Sequence, residues 1–495
     1  MGKQKLVRWI LFFVGGGLVA LGADTLKEGA SLAEFSQHLH RQIPRWMEAY
    51  RIPGTIVSLV EGGKVLWEEA WGYADVENRR SMTVDTRCRV ESISKSVTAW
   101  GVLKLVQQGR LDLDASVQKY LKRFQFPASS YSVENVTIRR LLSHTAGLPL
   151  GTIGVRYEPE GPIPSLEEAL RKDGYLVAEP GSGFSYSNVG YNLLELLIEE
   201  VTGQEFSFYM EKEILKPLGM DRSGFNWRSD WTPPVPNGYS VSGDPIPVYV
   251  YAEKGAGGLF APVGDIARFV CAEAGYSGSV LSENFRNLLF TPQTPVPGLY
   301  GLAFPFYGFG HFIESFSDGK RSVSHGGQGS GWMSHFQLVP ATGDGIVILT
   351  NSQRSWPLFA YVLRDWARWK GYPSPGMSRI IAGEWILWGV LASILLLCGW
   401  SGLVFWGELI RKKRRFSLSF QAGGAPRVLS GILAVSLFLL LGWALSQEYL
   451  FLQAVFPRTA TGLGVAVFLL ASLLLAYALF PRTVPRDLRT VPLEK

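Results

Sequence analysis

The chain has 495 residues, 47% of them apolar, a formal net charge of +6 and three cysteines. That length exceeds one hydrophobic core, the apolar share is high for a purely soluble enzyme, and so few cysteines exclude a disulfide scaffold. The positive charge gathers beside apolar segments and leaves the rest of the chain mildly acidic, which excludes a nucleic-acid-binding signature.

Residues 1–23 place Lys3, Lys5 and Arg8 before an apolar run from Trp9 to Leu21. This reads as a signal peptide or an uncleaved signal anchor, with Ala20 and Gly22 small enough for cleavage before Ala23. A helix is expected over residues 31–50, with Phe35, Leu39, Ile43, Trp46 and Met47 on one side and Pro53-Gly54 at its end. Strands follow at 55–61 and 64–73, turned by Gly62-Gly63. Residues 92–108 read as a helix stopped by Gly109. From 117 to 219 the pattern is helix and loop, clearest at 137–142 and 189–201. Strands return at 335–339 and 345–350, flanking the turn 340–344. Strands at both ends and helices between them predict an α+β catalytic domain over 31–372, its antiparallel sheet closed by both ends of the domain.

Residues 373–380 form a Pro-Gly linker, and apolar spans are expected at 381–406, 428–447 and 460–480, each close to the ~20 residues a bilayer requires. Arg411, Lys412, Lys413, Arg414, Arg415 and Arg427 lie between the first two spans, and Arg482, Arg486, Arg489 and Lys495 follow the third. Both groups are expected in the cytoplasm. The C-terminus is then cytoplasmic and the catalytic domain lies outside, the side the N-terminal signal also indicates. Glu384 and Glu408 sit near the ends of the first span and no ionisable residue sits mid-span, so an anchor is expected rather than a transporter.

Three motifs carry the chemistry. Ser92 opens a helix and Lys95 follows one turn later on the same face. A desolvated lysine takes the proton that makes a serine hydroxyl nucleophilic. Tyr186-Ser187-Asn188 lies where a Gly/Ser-rich loop meets a helix; the phenol suits proton transfer, and Asn188 suits holding the lysine and a substrate amide. His325-Gly326-Gly327-Gln328 is a glycine-rich strand edge that lets a ligand approach backbone.

Ser-x-x-Lys, Tyr-x-Asn and His-x-Gly in this order resemble the serine β-lactamase/penicillin-binding-protein family, above all its class C-like branch. The likeness runs from about Glu34 to Trp369 and takes in segments 141–149, 217–220 and 257–265. It implies the serine β-lactamase/D,D-peptidase fold, an antiparallel sheet flanked by helices. Ser92 would then form an acyl-enzyme, Lys95 and Tyr186 would share proton transfer, and Asn188 would position Lys95 and substrate. The N–H groups of Ser92 and Gln328 would form the oxyanion hole, Gly327 would allow close backbone approach, and His144 would be structural. His325 replaces the lysine, and Gly326 the threonine, of the Lys-Thr-Gly found in many relatives, which weighs against efficient β-lactam hydrolysis. The expected protein is therefore a membrane-anchored extracytoplasmic serine hydrolase acting on a peptidoglycan-type D-amino-acid peptide, amide or ester. It would need no cofactor and no metal, and its partners would be that substrate and the lipid bilayer. The alternative is a penicillin-binding sensor that does not turn over. Tyr157, Trp227, Tyr251 and Trp332 are candidate pocket-lining aromatics.

Overall fold

The computed structural model describes residues 26–151, 155–276, 280–419, 424–447 and 451–483. The signal-like segment 1–23 and Arg486, Arg489 and Lys495 lie outside them. The chain divides into one unit, residues 25–380, which carries the three motifs, and a second unit that contains residues 381–495.

Helix α1 (Leu32–Tyr50) starts at a capping box, in which Ser31 Oγ accepts from the Glu34 N–H and the Glu34 carboxylate accepts from the Ser31 N–H. It ends on Arg51 in the left-handed region at φ 54°. Strands β1 (Gly54–Glu61) and β2 (Lys64–Asp75) form a hairpin whose turn glycines, Gly62 and Gly63, have φ of 53° and 71°. A two-residue hairpin turn needs those positive angles. The chain continues through β3 (Arg80–Ser81), β4 (Cys88–Arg89), α2 (Ile93–Gln107), α3 (Ile138–Leu142), α4 (Leu166–Asp173), α5 (Asn188–Thr202) and α6 (Phe206–Met210). Next come β5 (Gly238–Tyr239), β6 (Pro245–Ile246), β7 (Phe260–Ala261), α7 (Val263–Glu273), α8 (Glu283–Leu289), β8 (Thr294–Pro295), α9 (Gly298–Ala303) and β9 (Phe306–Tyr307). The unit closes with β10 (Phe312–Ser315), β11 (Arg321–Gln328), β12 (Met333–Val339), β13 (Asp344–Thr350) and α10 (Trp356–Trp369).

Among the described residues, the main sheet has nine strands in the order β3-β2-β1-β13-β12-β11-β10-β9-β8, paired antiparallel throughout. First and last strands meet at Ile56↔Leu349, so both ends of the unit close the sheet. Alternation along β13 divides the core. Val347 and Leu349 join Ile56, Val323, Phe336 and the buried faces of α2 and α7. On the α10 side, helices α1 and α10 lock together through Phe35 on Trp369 (4.3 Å between rings), Trp46 on Tyr361 (5.3 Å) and a buried His38–Asp365 pair at 2.8 Å.

Among the described residues, three helices are long and apolar enough to cross a membrane: Gly376–Ile410, Gly424–Ser446 and Thr459–Leu479. Their regular α-helical parts are α11 (Arg379–Ile410), α12 (Gly424–Ser446) and, after the short α13 (Phe451–Val455), α14 (Ala460–Leu479). The first is longer than the apolar stretch alone indicates, because helical geometry continues into the polar residues on either side. Helices α12 and α14 pack through Phe438 and Phe468, with rings 5.7 Å apart. Glu408 binds Arg414 (2.7 Å) and Arg482, tying the end of α11 to the segment after α14.

Candidate active site

Helix α2 is buried all round: Ser94, Lys95, Ser96 and Thr98 are as covered as Val97 and Trp100. Buried polar groups need partners, and these pin the helix in place. Ser96 Oγ donates to the Gly310 carbonyl at 2.6 Å, and Thr98 Oγ1 donates to the Gly255 carbonyl at 2.9 Å. Half-buried Ser92 holds the N-cap position of the helix without a side-chain capping bond.

Lys95 Nζ donates to three oxygens: Ser92 Oγ at 3.2 Å, Asn188 Oδ1 at 2.8 Å and the Ala256 carbonyl at 2.7 Å. Burial pushes its ammonium down to about 7, and the Glu91 carboxylate only partly offsets this. The Ala256 carbonyl is itself aimed by Glu195, whose Oε2 accepts from the N–H groups of Lys254 and Gly255, each at 2.6 Å. Asn188 is the first residue of α5, delivered there by the N-cap Ser187, whose hydroxyl accepts from Gly190 N–H and donates to the Pro149 carbonyl.

The Tyr186 ring lies 4.9 Å from Lys95 Nζ, and Ser92 is near enough to its phenol to affect its pKa. Burial raises that phenol well above its ordinary range, more than nearby Ser92 lowers it. Under the ring lies His144, centroid to centroid 4.3 Å, in the left-handed region at φ 58°. Its Nδ1 accepts from the Ser187 N–H at 3.1 Å, so the imidazole is neutral; burial, and then the nearby Lys95, hold its pKa far below 6.5.

His325 is fully buried. Its Nδ1 donates to the Gly326 carbonyl at 2.8 Å and its Nε2 accepts from the Tyr307 phenol at 3.1 Å. Burial, and then Lys95, keep it neutral as well. Gly327 stands where β11 passes the nucleophile turn: a Cβ there would lie 2.1 Å from the Val90 carbonyl oxygen and 2.4 Å from Ser334 Oγ. Gln328 ends β11 and accepts from Trp356 Nε1 at 3.2 Å. The structure thus brings Ser92, Lys95, Tyr186 and Asn188 into one cluster, with Gly327 against the turn before Ser92. It sets the His325 side chain behind the strand edge rather than in the open cleft.

The beta-lactamase family profile matches residues 39–365. The chain belongs to the beta-lactamase family. Among curated members it is similar to "Protein flp" of Staphylococcus aureus (strain N315), 26% identical over 324 residues, covering 64% of this chain and 63% of that protein's length. It is also similar to "Penicillin-binding protein 4*" of Bacillus subtilis (strain 168), 27% identical, covering 61% of this chain and 68% of that one. The octameric penicillin-binding protein homologue from Pyrococcus abyssi superposes with a TM-score of 0.56 at 30% identity, covering 64% of this chain and 73% of that one. This family's antiparallel sheet with flanking helices is the fold expected from the three motifs.

Within that beta-lactamase framework, several neighbours of the site have no motif to announce them. Glu91, at φ 50°, precedes the nucleophile. Its carboxylate takes Arg89 Nε at 2.8 Å, the Tyr249 hydroxyl at 3.1 Å and the Tyr251 hydroxyl at 2.9 Å. Arg89 in turn stacks over both tyrosines and Phe260. Of the guessed aromatics, Tyr251 belongs to this cluster beside the site. Trp332 is buried core against Gly238 and Tyr249, Tyr157 pairs through its backbone with Val250, and Trp227 is half-buried. Only tertiary packing joins Glu91 to residues some 160 positions away.

Proposed function

We propose that this chain is a membrane-anchored serine hydrolase that works through an acyl-enzyme on a D-amino-acid peptide, amide or ester. The observation that carries the reading is the buried Lys95 ammonium 3.2 Å from Ser92 Oγ, with burial lowering its proton affinity to about 7. The same burial raises Tyr186. Opposite shifts divide the roles: near neutral pH the free base is Lys95, and Tyr186 stays protonated as donor.

Ser92 Oγ then attacks the acyl carbon while its proton passes to Lys95 Nζ. The tetrahedral oxyanion is met by the N–H groups of Ser92 and Gln328. Collapse breaks the bond to the leaving group, which takes its proton from the Tyr186 phenol, itself reprotonated from Lys95. Water, activated by the same base, cleaves the acyl ester and restores Ser92. Asn188 holds Lys95 and offers its amide to the substrate. Neutral His325 supplies no fixed charge, so the site suits amide and ester donors better than a substrate gripped by a carboxylate. The penicillin-binding relatives support a donor of cell-wall type.

In this reading residues 1–23 target the chain for export, 31–372 form the catalytic domain outside the plasma membrane, and the long helices anchor it with a cytoplasmic C-terminus. The test is a panel of p-nitrophenyl esters, D-alanyl-D-alanine peptides, D-amino-acid anilides and nitrocefin. Hydrolysis in the wild type and none in Ser92→Ala is expected; hydrolysis persisting in Ser92→Ala removes the mechanism. A β-lactam-binding sensor is the second reading, favoured by Gly326, which offers no hydroxyl beside the acyl group. Labelled penicillin retained without release by the wild type decides for it.

A further inference from the structure

In the catalytic unit, helix α9 carries an apolar cluster on its outer side. Leu299 is 81% exposed, the highest value for any large apolar side chain described in this unit, and Leu302 is 55% exposed. Phe306, just after the helix, is 39% exposed. Contiguous exposed apolar side chains of this kind mark a surface that meets another apolar phase.

The inner side of the same segment belongs to the cleft. Tyr300 packs on Phe312 and edge-on to Trp356, with ring centroids 6.4 and 6.5 Å away. Trp356 donates to Gln328, and Phe312 lies 5.2 Å from the His325 ring. The Tyr300 phenol is also close enough to Tyr186 to raise it further. Helix α9 is therefore a lip, with one side facing the reacting groups and the other bare and apolar.

Where the lip is fixed says what covers it. Arg379, the first residue of α11, donates to the Leu302 carbonyl. Gly376 is so close to Ala303 that a Cβ would lie 2.4 Å from its carbonyl oxygen, and the Gly376 N–H is held by the Glu314 carboxylate at 2.9 Å. The chain then runs as unbroken helix into the apolar span. Trp385 and Trp388 follow Arg379 by six and nine residues. At about 1.5 Å of rise per residue they lie roughly 9–14 Å along the helix, and tryptophans of a spanning helix favour the headgroup level. A segment clamped to Arg379 is thus within reach of lipid headgroups.

We propose that residues 297–306 rest in the headgroup layer of the bilayer and lead a lipid-anchored acyl donor to Ser92. The substrate class is an amphiphile whose scissile ester or amide sits at headgroup depth, its chains in the membrane beside Leu299 and Leu302. This rests on the serine hydrolase reading above.

Two measurements on the full chain in phosphatidylethanolamine/phosphatidylglycerol vesicles test it. In the first, Leu299→Cys in a Cys398→Ser background carries an environment-sensitive fluorophore, and a nitroxide is placed on the lipid acyl chains. Quenching that requires the nitroxide lipid is expected; unquenched fluorescence overturns the proposal. In the second, Leu299→Asp/Leu302→Asp is compared with wild type on p-nitrophenyl acetate in water and p-nitrophenyl palmitate in the vesicles. Acetate turnover is expected to stay within about twofold while palmitate turnover falls about tenfold. Equal losses on both esters, or none, overturn it. Hydrolysis that survives Ser92→Ala instead sinks the serine mechanism, and the quenching result stands or falls separately.

Discussion

Helices α2 and α11 are both rich in apolar residues, and they spend them differently. Along α2 nearly every residue is buried against protein, including Ser94, Lys95, Ser96 and Thr98, each with a fixed partner or, for Lys95, three. Along α11 only Glu384, Leu391 and Phe405 are buried, while Trp385, Leu397, Trp400 and Leu403 are more than half exposed. A helix that is apolar all round must be surrounded by something apolar. For α2 this is the core of the catalytic unit, and the dry surroundings are what lower the Lys95 ammonium. Helix α11 lacks such cover, and it is long and apolar enough to cross a membrane. One region uses its low-dielectric environment to tune chemistry; in the proposed reading the other holds position.

That contrast can be broken from either side. The largest expected effect is Ser92→Ala, which should lower kcat/KM on a soluble ester by about three orders of magnitude or more and leave the membrane-bound fraction unchanged. Leu439→Arg, in exposed mid-α12, reverses the pattern. It should cost about 2.5–3.5 kcal/mol of insertion free energy, seen as alkali-extractable protein, while kcat/KM on the soluble ester holds. If instead it abolishes activity, the two regions are not separable. Gly327→Ala pushes β11 off the Val90 carbonyl and should destabilise by about 1–3 kcal/mol, read as a lower Tm and weaker acylation together.

The subtlest probe is Glu91→Gln. Activity should rise with pH as Lys95 loses its proton near 7. Glu91 raises that pKa, against the burial that lowers it, and Tyr186, His144, His325 and Tyr191 face the same amine without carrying charge. Removing the carboxylate's charge should move the acid limb of the kcat/KM profile down by less than about one pH unit. An unmoved limb with reduced kcat would leave Glu91 only a structural part. Stability should follow the buried imidazoles: His335 is held down to about 3, so its contribution is complete above 6.5 and is lost as the pH falls from there toward 3. Thermal melts across that range check the sign.

Local spacing made much of the site legible. Ser92 and Lys95 are one helical turn apart, Gly109 marks the end of α2, and a Gly/Ser-rich loop leads into α5. The β1–β2 and β12–β13 hairpins are announced by their turns. What stayed hidden has no local signature. The Ala256 carbonyl reaches Lys95 only because Glu195 holds two backbone amides. Tyr307 finds His325 through a two-residue strand, too short to show an alternating pattern. The short strands β8 and β9, and helix α13, fall below the length at which periodicity speaks. Burial of His325 was equally invisible, since a His-Gly-Gly edge reads the same whether the ring faces solvent or the core.

The clasp between α1 and α10 has a further consequence. Gly29 N–H donates to the Trp369 carbonyl at 3.2 Å, and Trp369 Nε1 donates to the Ala30 carbonyl at 2.7 Å. Entry to and exit from the hydrolase domain therefore lie side by side, the arrangement that circular permutation and domain insertion exploit. Joined by a short linker there and reopened at a distant surface loop, the domain should tolerate a new order of segments, and it should splice as a cassette into a loop of an unrelated protein.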